Sequence, residues 1–104
     1  MSAEPRFNEA IHAPTRLRLC AILRPLDSAD FGVLMESLGV SEAVLSKTIR
    51  NLVDLGYLST SKQASPDRAD ARRTTTISLT PQGRAAIDGH LAALRALAEP
   101  VAPG

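Results

Sequence analysis

The sequence predicts a single, mainly α-helical domain that contains a small antiparallel β-hairpin. Its length of 104 residues is close to the commonest domain size, which supports one domain spanning residues 1–104. The composition is 44% hydrophobic but only 3% aromatic, which favours an aliphatic core, as in many helical proteins. Segments with helical periodicity flank two segments rich in β-branched residues, so the hairpin is expected between helices.

Two prolines delimit the first predicted helix. It is expected to begin near Pro14 and to end before Pro25, because proline suits the first helical turn but not a helix interior. Cys20, the one cysteine, is predicted to be a core residue, and a single cysteine excludes an intramolecular disulfide. Residues 1–8 are expected to be frayed, and a very short strand is compatible with residues 29–31.

A tight turn separates the next two predicted helices. Asp30 suits the N-cap of a helix through Leu38, and Gly39 ends that helix because glycine adopts positive φ without a steric cost. Ser41 is predicted to cap the following helix, residues 42–55. The buried stripe predicted for that helix consists of Leu45, Ile49, Leu52, Val53 and Gly56.

The opposite face of helix 42–55 is polar. It carries Ala43, Lys47, Arg50, Asn51 and Asp54, with Ser46 at its border. Such a helix pair is typical of a helix-turn-helix, whose second helix enters the DNA major groove with its phosphate-attracting N-terminus first. The helix pattern alone is equally compatible with an ordinary helical hairpin whose polar face is only solvated.

The predicted hairpin has a polar tip that bears arginine. Residues 57–62 and 74–79 are its expected strands, because they combine β-branched content with partial alternation. Three arginines lie between or beside them: Arg68, Arg72 and Arg73. Guanidinium groups can enter a narrow minor groove, and the adjacent Asp67 and Asp70 can orient an arginine. The alternative is that these charges only solvate a loop.

The last predicted helix, residues 81–98, combines a clear start signal with a long apolar stripe. Thr80 suits the N-cap and Pro81 the first helical position. The stripe contains Ile87, Leu91, Leu94 and Ala98. It can pair with a second copy of the chain, and a two-fold homodimer would match a palindromic DNA site. The alternative is that this helix only covers its own core.

Charge and motifs narrow the functional classes. The net charge of +1 gives no global basic field, but basic residues outnumber acidic ones in residues 41–73. No nucleophile–base pair, phosphate loop or carboxylate pair is visible, so neither an enzyme nor a cofactor is expected. Asp88 and His90 are a weak metal motif, because residues two apart do not share a helix face, and no metal site is expected.

Targeting signals are not expected either. No apolar run approaches the roughly 18 residues that cross a bilayer, and the N-terminus lacks a hydrophobic signal region. The expectation is a soluble, cytoplasmic protein with no membrane partner.

Three segments resemble known winged-helix regulators. Residues 70–83, Asp-Ala-Arg-Arg-Thr-Thr-Thr-Ile-Ser-Leu-Thr-Pro-Gln-Gly, are similar to the wing and following helix start of MarR-type winged-helix repressors. Residues 14–19, Pro-Thr-Arg-Leu-Arg-Leu, are similar to the opening helix of ArsR-type winged-helix proteins. The pattern of residues 45–58 is shared by both groups, and the resemblance extends from about Asn8 to Leu97.

This resemblance implies a winged helix-turn-helix fold and a homodimeric repressor that binds double-stranded DNA at a palindromic operator. Carried over position by position, it places Ser41, Ser46, Lys47 and Arg50 at the DNA and Arg72 in the minor groove, supported by Asp70. MarR proteins usually have an extra N-terminal helix and a longer C-terminal pair, which form the dimer and a ligand cleft. This chain is shorter at both ends, so a small-molecule effector stays open.

The residues predicted to contact DNA are Ser41, Ala43, Ser46, Lys47, Arg50, Asn51, Arg68, Arg72 and Arg73. Two alternatives remain at the level of sequence. A winged helix can serve as a protein-interaction module without DNA binding. A redox or metal sensor would instead use Cys20 or His90.

Overall fold

The computed structural model describes residues 3–64 and 73–99, which form five α-helices and three β-strands. In chain order these are α1 (Glu9–His12), α2 (Pro14–Leu23), β1 (Ala29–Asp30), α3 (Phe31–Leu38), α4 (Glu42–Asp54), β2 (Leu58–Ala64), β3 (Arg73–Leu79) and α5 (Pro81–Ala98). The predicted fold class, mainly helical with a small antiparallel hairpin, is confirmed. In this part of the chain, no helix is long and apolar enough to cross a membrane.

The three strands form one antiparallel sheet in the order β1-β3-β2. β2 and β3 pair from Leu58 opposite Leu79 at their base, and this hairpin is called the wing below. β1 pairs with the other edge of β3, where Ala29 lies opposite Ile77. This third strand ties the chain just before α3 to the wing, so the two α-helices of the helix-turn-helix are anchored to the same sheet as the hairpin.

An aliphatic core lies between the helices and the sheet. Every helix and β3 contribute fully buried side chains, among them Ile11, Leu19, Leu23, Leu34, Leu45, Leu52, Ile77 and Ile87. Burying one aliphatic side chain of this size stabilises a fold by about 1.5–3 kcal/mol. Because aromatic residues are scarce, stability depends mainly on this aliphatic packing.

Local signals in the sequence set most of the helix boundaries. Pro14 begins α2, and Gly39 ends α3 in the left-handed conformation, with a φ of 65°. Ser41 caps α4 by accepting a hydrogen bond from the Val44 N–H at 3.2 Å. These features are as predicted.

The buried stripe of α4 differs from the prediction at Val53 and at Gly56, which is half-buried beyond the end of the helix. Val53 is 36% exposed, whereas Thr48 is buried because it lies on the same helical face as Leu45 and Leu52. The Thr48 hydroxyl donates to the Val44 carbonyl at 2.8 Å, which satisfies its polar atom inside the core.

The N-terminal segment, residues 3–8, is docked on α5, and the expectation of a frayed end is wrong for it. The Arg6 N–H donates to the Gly89 carbonyl at 2.9 Å. The segment leads into α1, a short helix that the sequence did not predict, and the Asn8 side chain caps α1 by accepting from the Ile11 N–H at 3.2 Å. Contacts between residues distant in the sequence therefore order this end of the chain.

The wing–helix junction, formed by Gly56, Tyr57, Thr80 and Gly83, joins the end of α4, the wing and α5. The Thr80 hydroxyl donates to the Gly56 carbonyl at 2.6 Å and accepts from the Gly83 N–H at 2.9 Å. The Thr80 N–H donates to the Tyr57 carbonyl at 3.0 Å. A Cβ atom on Gly83 would lie 2.0 Å from the Tyr57 carbonyl oxygen, so only glycine permits this approach.

Gly83→Ala is expected to lower the free energy of unfolding by about 3 kcal/mol, because a backbone carbonyl occupies the space of the new methyl group. Gly32→Ala is the matched control. This helical glycine has no heavy atom within 4 Å of its Cβ position, so alanine should stabilise by up to about 1 kcal/mol. Urea denaturation followed by circular dichroism measures both variants. Equal effects of the two substitutions would contradict the close approach at the junction.

Candidate nucleic-acid interface

The buried stripe of α4 fixes the rotation of this helix. Since Leu45, Thr48 and Leu52 face the core, the opposite side of α4 faces away from the domain. The predicted DNA-contacting residues of this region are exposed at Ser41, Ala43, Lys47 and Arg50 and half-buried at Ser46 and Asn51. The structure thus brings them together on one accessible face of α4 and its N-cap.

The N-terminus of α4 lies at the surface. The turn before it is closed by the Gly39 N–H, which donates to the Met35 carbonyl at 2.9 Å. From α2, Arg18 Nη1 donates to the Leu38 carbonyl at 3.3 Å, where a cation is favourable at the C-terminus of α3. Residues 41–44 are all exposed, so the positive end of the α4 dipole is open to an anion such as phosphate.

A groove of about 540 Å³ lies between α4 and the wing. Its polar lining comes from both elements: Glu42, Ser46 and Arg50 of α4, and Thr60, Lys62 and Thr75 of the wing. Arg50 and Lys62 thus bring positive charge to the groove from its two walls. Glu42 opposes phosphate there but can accept a hydrogen bond from a cytosine amino group.

Sequence reasoning missed the wing residues of this groove. Thr60 and Lys62 are two residues apart on β2 and therefore lie on the same face of the sheet. The alternation is visible in the sequence, but it does not tell which face covers the core. Val44 is a further exposed residue that was not among the predicted DNA contacts. It is 46% exposed in the first turn of α4.

The predicted contacts at the tip of the wing cannot be placed in the same way. Arg68, Asp70 and Arg72 lie outside the described residues. Arg73 is the first residue of β3, opposite Ala64 of β2. The roles of these residues at DNA stay predictions.

The sensor candidates occupy structural positions. Cys20 is fully buried in the core, as predicted, and desolvation by burial raises the pKa of its thiol to about 11. Thiolate is therefore scarce at neutral pH, which disfavours a redox sensor. Asp88 pairs with Arg24, the C-cap residue of α2, whereas His90 contacts His12 of α1. Among residues 3–64 and 73–99, no group of three or more His, Cys, Asp or Glu residues could hold a metal ion.

The apolar stripe of α5 is divided between the core and the surface. Ile87 is fully buried in the domain's own core, so its predicted role in contacting a second chain is corrected. Other apolar residues of α5 stay half-buried or exposed, among them Leu91, Leu94, Leu97 and Ala98. Leu97 is 75% exposed and lines a groove together with Phe7, which is 58% exposed.

The fold and the exposed polar face of α4 agree with the comparison to known families. The chain belongs to the family of winged helix DNA-binding domains, whose sequence profile matches residues 15–98. It is a winged-helix transcriptional regulator, similar to regulators of the MarR type. Among curated proteins, none matches the sequence.

Solved structures share this fold. The transcriptional regulator homologue from Pyrococcus horikoshii OT3 is 24% identical, with a TM-score of 0.78 over 86% of this chain and 85% of that chain. A MarR-family regulator from Silicibacter pomeroyi is 26% identical, with a TM-score of 0.63 over 81% of this chain and 53% of that chain. NadR, solved in complex with 4-hydroxyphenylacetate, is 16% identical, with a TM-score of 0.59 over 86% and 65% of the two chains. The likenesses to the Pyrococcus horikoshii protein and to NadR, both under 25% identical, show the fold alone.

Ser41→Ala is expected to lower the free energy of unfolding by about 1 kcal/mol, because the Val44 N–H loses its cap acceptor. Ser41→Asp keeps an acceptor and should keep the stability, but its carboxylate repels phosphate. DNA affinity should therefore fall further in Ser41→Asp than in Ser41→Ala. Urea denaturation and fluorescence anisotropy with a labelled duplex measure the two properties. A Ser41→Asp variant with unchanged DNA affinity would mean that this helix end does not face DNA.

Proposed function

We propose that this protein is a homodimeric, cytoplasmic repressor that binds a palindromic operator, with α4 in the major groove and the wing in the minor groove. The observation that carries the proposal is the exposed face of α4, whose basic residues adjoin a groove shared with the wing. Membership of a family of DNA-binding domains supports DNA as the partner. Repression would be steric, because a dimer on the operator obstructs polymerase.

Three kinds of contact are proposed for α4. Its N-terminus, at Ser41, binds a phosphate through main-chain N–H groups. Lys47 and Arg50 are long enough to reach base edges or phosphates. Val44 contacts a thymine methyl group, and Asn51 pairs with an adenine edge. Together these contacts combine charge-dependent affinity with the reading of A·T base pairs.

Both walls of the groove are proposed to contribute to the interface. On α4, the side chains of Ala43 and Ser46 are short and permit the helix to approach the bases closely. On the wing, Lys62 contacts a phosphate from the opposite wall. The arginines proposed for the minor groove are Arg68, Arg72 and Arg73, with Asp70 as the residue that orients Arg72. A narrow minor groove has an enhanced negative potential that favours such cations.

The homodimer is proposed to form through the exposed apolar side chains of α5 and the N-terminal segment. Phe7, Leu94 and Leu97 line one groove of about 330 Å³, and exposed apolar side chains that cluster in this way mark an interaction surface. Leu91 and Ala98 continue the surface along α5. A second copy is the favoured occupant, because a two-fold pair of α4 helices would match a palindromic operator, whose half-sites lie about 34 Å apart, one turn of DNA.

The logarithm of the DNA affinity is expected to fall linearly with the logarithm of the salt concentration. The slope should be about −0.9 for each phosphate contacted. An operator selected from a random-sequence pool supplies the duplex, and anisotropy measures affinity at several salt concentrations. Lys47→Ala and Arg50→Ala should each reduce the slope if their contacts are to phosphate. Val44→Ala should leave the slope unchanged and weaken the preference for the selected operator over random DNA.

Arg95→Ala is the matched control for the loss of charge, because Arg95 is exposed on α5, away from the α4 face. It should change neither the slope nor the preference. An affinity that does not depend on salt, or that is unchanged in the double variant Lys47→Ala, Arg50→Ala, would contradict the DNA-binding proposal. Either result would favour a winged helix that binds another protein.

Leu97→Glu is expected to convert a dimer into a folded monomer, because it places a carboxylate in the proposed dimer contact. Leu26→Glu is the matched control, since Leu26 is 40% exposed outside α5. Sedimentation velocity measures the mass, and circular dichroism verifies the fold. A wild-type monomer, or a Leu97→Glu variant that stays dimeric, would contradict this arrangement.

A further inference from the structure

The two histidines of the chain meet, although they are far apart in the sequence. His12 Nδ1 of α1 lies 3.1 Å from His90 Nε2 of α5, and the rings make an edge-to-face contact with centroids 5.2 Å apart. His90 is 1% exposed, whereas His12 is exposed to solvent. We call these two residues the histidine pair. They line the groove that also contains Phe7, Leu94 and Leu97.

The main chain fixes which nitrogens of the histidine pair carry protons. The Asn8 N–H donates to His90 Nδ1 at 3.0 Å. Because a main-chain N–H can only donate, His90 Nδ1 must present its lone pair, and the proton of neutral His90 is on Nε2. His90 Nε2–H then donates to His12 Nδ1, so the proton of neutral His12 is on its own Nε2. The hydrogen bonds therefore run in one direction, from Asn8 through His90 to His12.

One additional proton on the histidine pair breaks one of these two hydrogen bonds. A proton on His12 Nδ1 places two N–H donors opposite each other between the rings. If His90 shifts its proton to Nδ1 to relieve that contact, the clash moves to the Asn8 N–H. Neither arrangement keeps both hydrogen bonds, and one buried donor loses its acceptor.

Acid should therefore destabilise the folded arrangement. Desolvation by burial, and then the charge of His12, lower the pKa of His90 below its ordinary value of 6.5. The unfolded chain consequently binds more protons than the folded chain between the two pKa values. The stability linked to His90 is complete above about pH 6.5 and is lost as the pH falls through its lowered pKa.

The histidine pair holds the N-terminal segment through Asn8. The Asn8 main-chain N–H donates to His90, and its side-chain amide donates to the Tyr57 hydroxyl at 2.9 Å. Two residues earlier, the Arg6 N–H donates to the Gly89 carbonyl at 2.9 Å. Release of Asn8 from His90 would therefore loosen the segment that carries Phe7.

Charged side chains lie on the elements next to the histidine pair. Glu9 of α1 lines the same groove. On α5, Asp88 forms a salt bridge with Arg24, the C-cap residue of α2. Arg16 of α2 donates to the Ala10 carbonyl at 3.1 Å and thus holds the main chain of α1.

We propose that the histidine pair is a proton-sensitive contact that docks the N-terminal segment on α5 at neutral pH and releases it on acidification. Release removes Phe7 from the groove that it forms with Leu94 and Leu97. In the proposed homodimer this groove is part of the subunit contact, so acid would weaken the dimer and its binding to DNA. That last consequence rests on the proposed function, whereas the release itself does not.

Nuclear magnetic resonance tests the proposal directly, because His12 and His90 are the only histidines in the chain. Imidazole ¹⁵N shifts at pH 7.5 should show both rings protonated on Nε2. The protection factor of the Asn8 amide against hydrogen exchange should be constant from pH 7.5 to about pH 6.5, and below that fall by up to about tenfold per pH unit to pH 5.5, as one proton is taken up. The Gly39 amide, bonded to Met35 in the turn before α4, is the internal control and should stay protected.

Two substitutions of the exposed His12 separate charge from shape. His12→Asn keeps an acceptor near the position of Nδ1 and cannot take up a proton, so the loss of Asn8 protection should move to lower pH. His12→Lys presents a permanent charge and no acceptor, so Asn8 protection should already be reduced about tenfold at pH 7.5. Protection of Gly39 verifies that both variants are folded.

An Asn8 protection factor that is constant from pH 7.5 to 5.5, a His90 ring protonated on Nδ1, or wild-type protection in His12→Lys would overturn the proposal. Sedimentation velocity at pH 7.5 and 5.5 tests the proposed homodimer independently of the proton-sensitive contact. If the protein is monomeric at both pH values but releases Asn8 in acid, the proton-sensitive contact is supported and the homodimer is contradicted. If a dimer persists and Asn8 is not released, the homodimer is supported and the proton-sensitive contact is contradicted.

Discussion

The close approach of Gly83 to the Tyr57 carbonyl is the constraint on which the rest of the structure depends. The end of α4, the base of the wing and the first turn of α5 meet at this point, and Thr80 links them by accepting one hydrogen bond and donating another. The orientation of α4 relative to the wing therefore follows from main-chain geometry. The Tyr57 side chain extends the same junction to the N-terminal segment through its hydrogen bond with Asn8.

The distribution of charge is consistent with local recognition of DNA. With a net charge of +1, the protein has little long-range field to attract a polyanion, so affinity has to come from contacts at short range. The groups proposed to make such contacts are the exposed N-terminus of α4 and the two cations that line its groove with the wing, Arg50 and Lys62. The exposed apolar side chains that we propose for the dimer contact lie on α5, which would leave this face of α4 free for DNA.

Features encoded by short stretches of sequence could be predicted, and features that depend on distant contacts could not. Gly39 and Ser41 act through their immediate neighbours, which is why the turn and the α4 cap are confirmed. The docked N-terminal segment depends on His90, 82 residues after Asn8, and no local pattern reports such a contact. The apolar stripe of α5 predicts burial but not its cause, so Ile87 was assigned to a second chain although it packs in its own core.

The central claim is that the α4 face and the wing, and not α5, meet the DNA. A titration of ¹⁵N-labelled protein with a selected operator duplex tests it residue by residue in one measurement. DNA binding through α4 and the wing should give the largest amide shift changes at residues 41–51 and at Thr60 and Lys62, with residues 87–98 little changed. The largest changes on α5 and the N-terminal segment, with residues 41–51 unaffected, would contradict it.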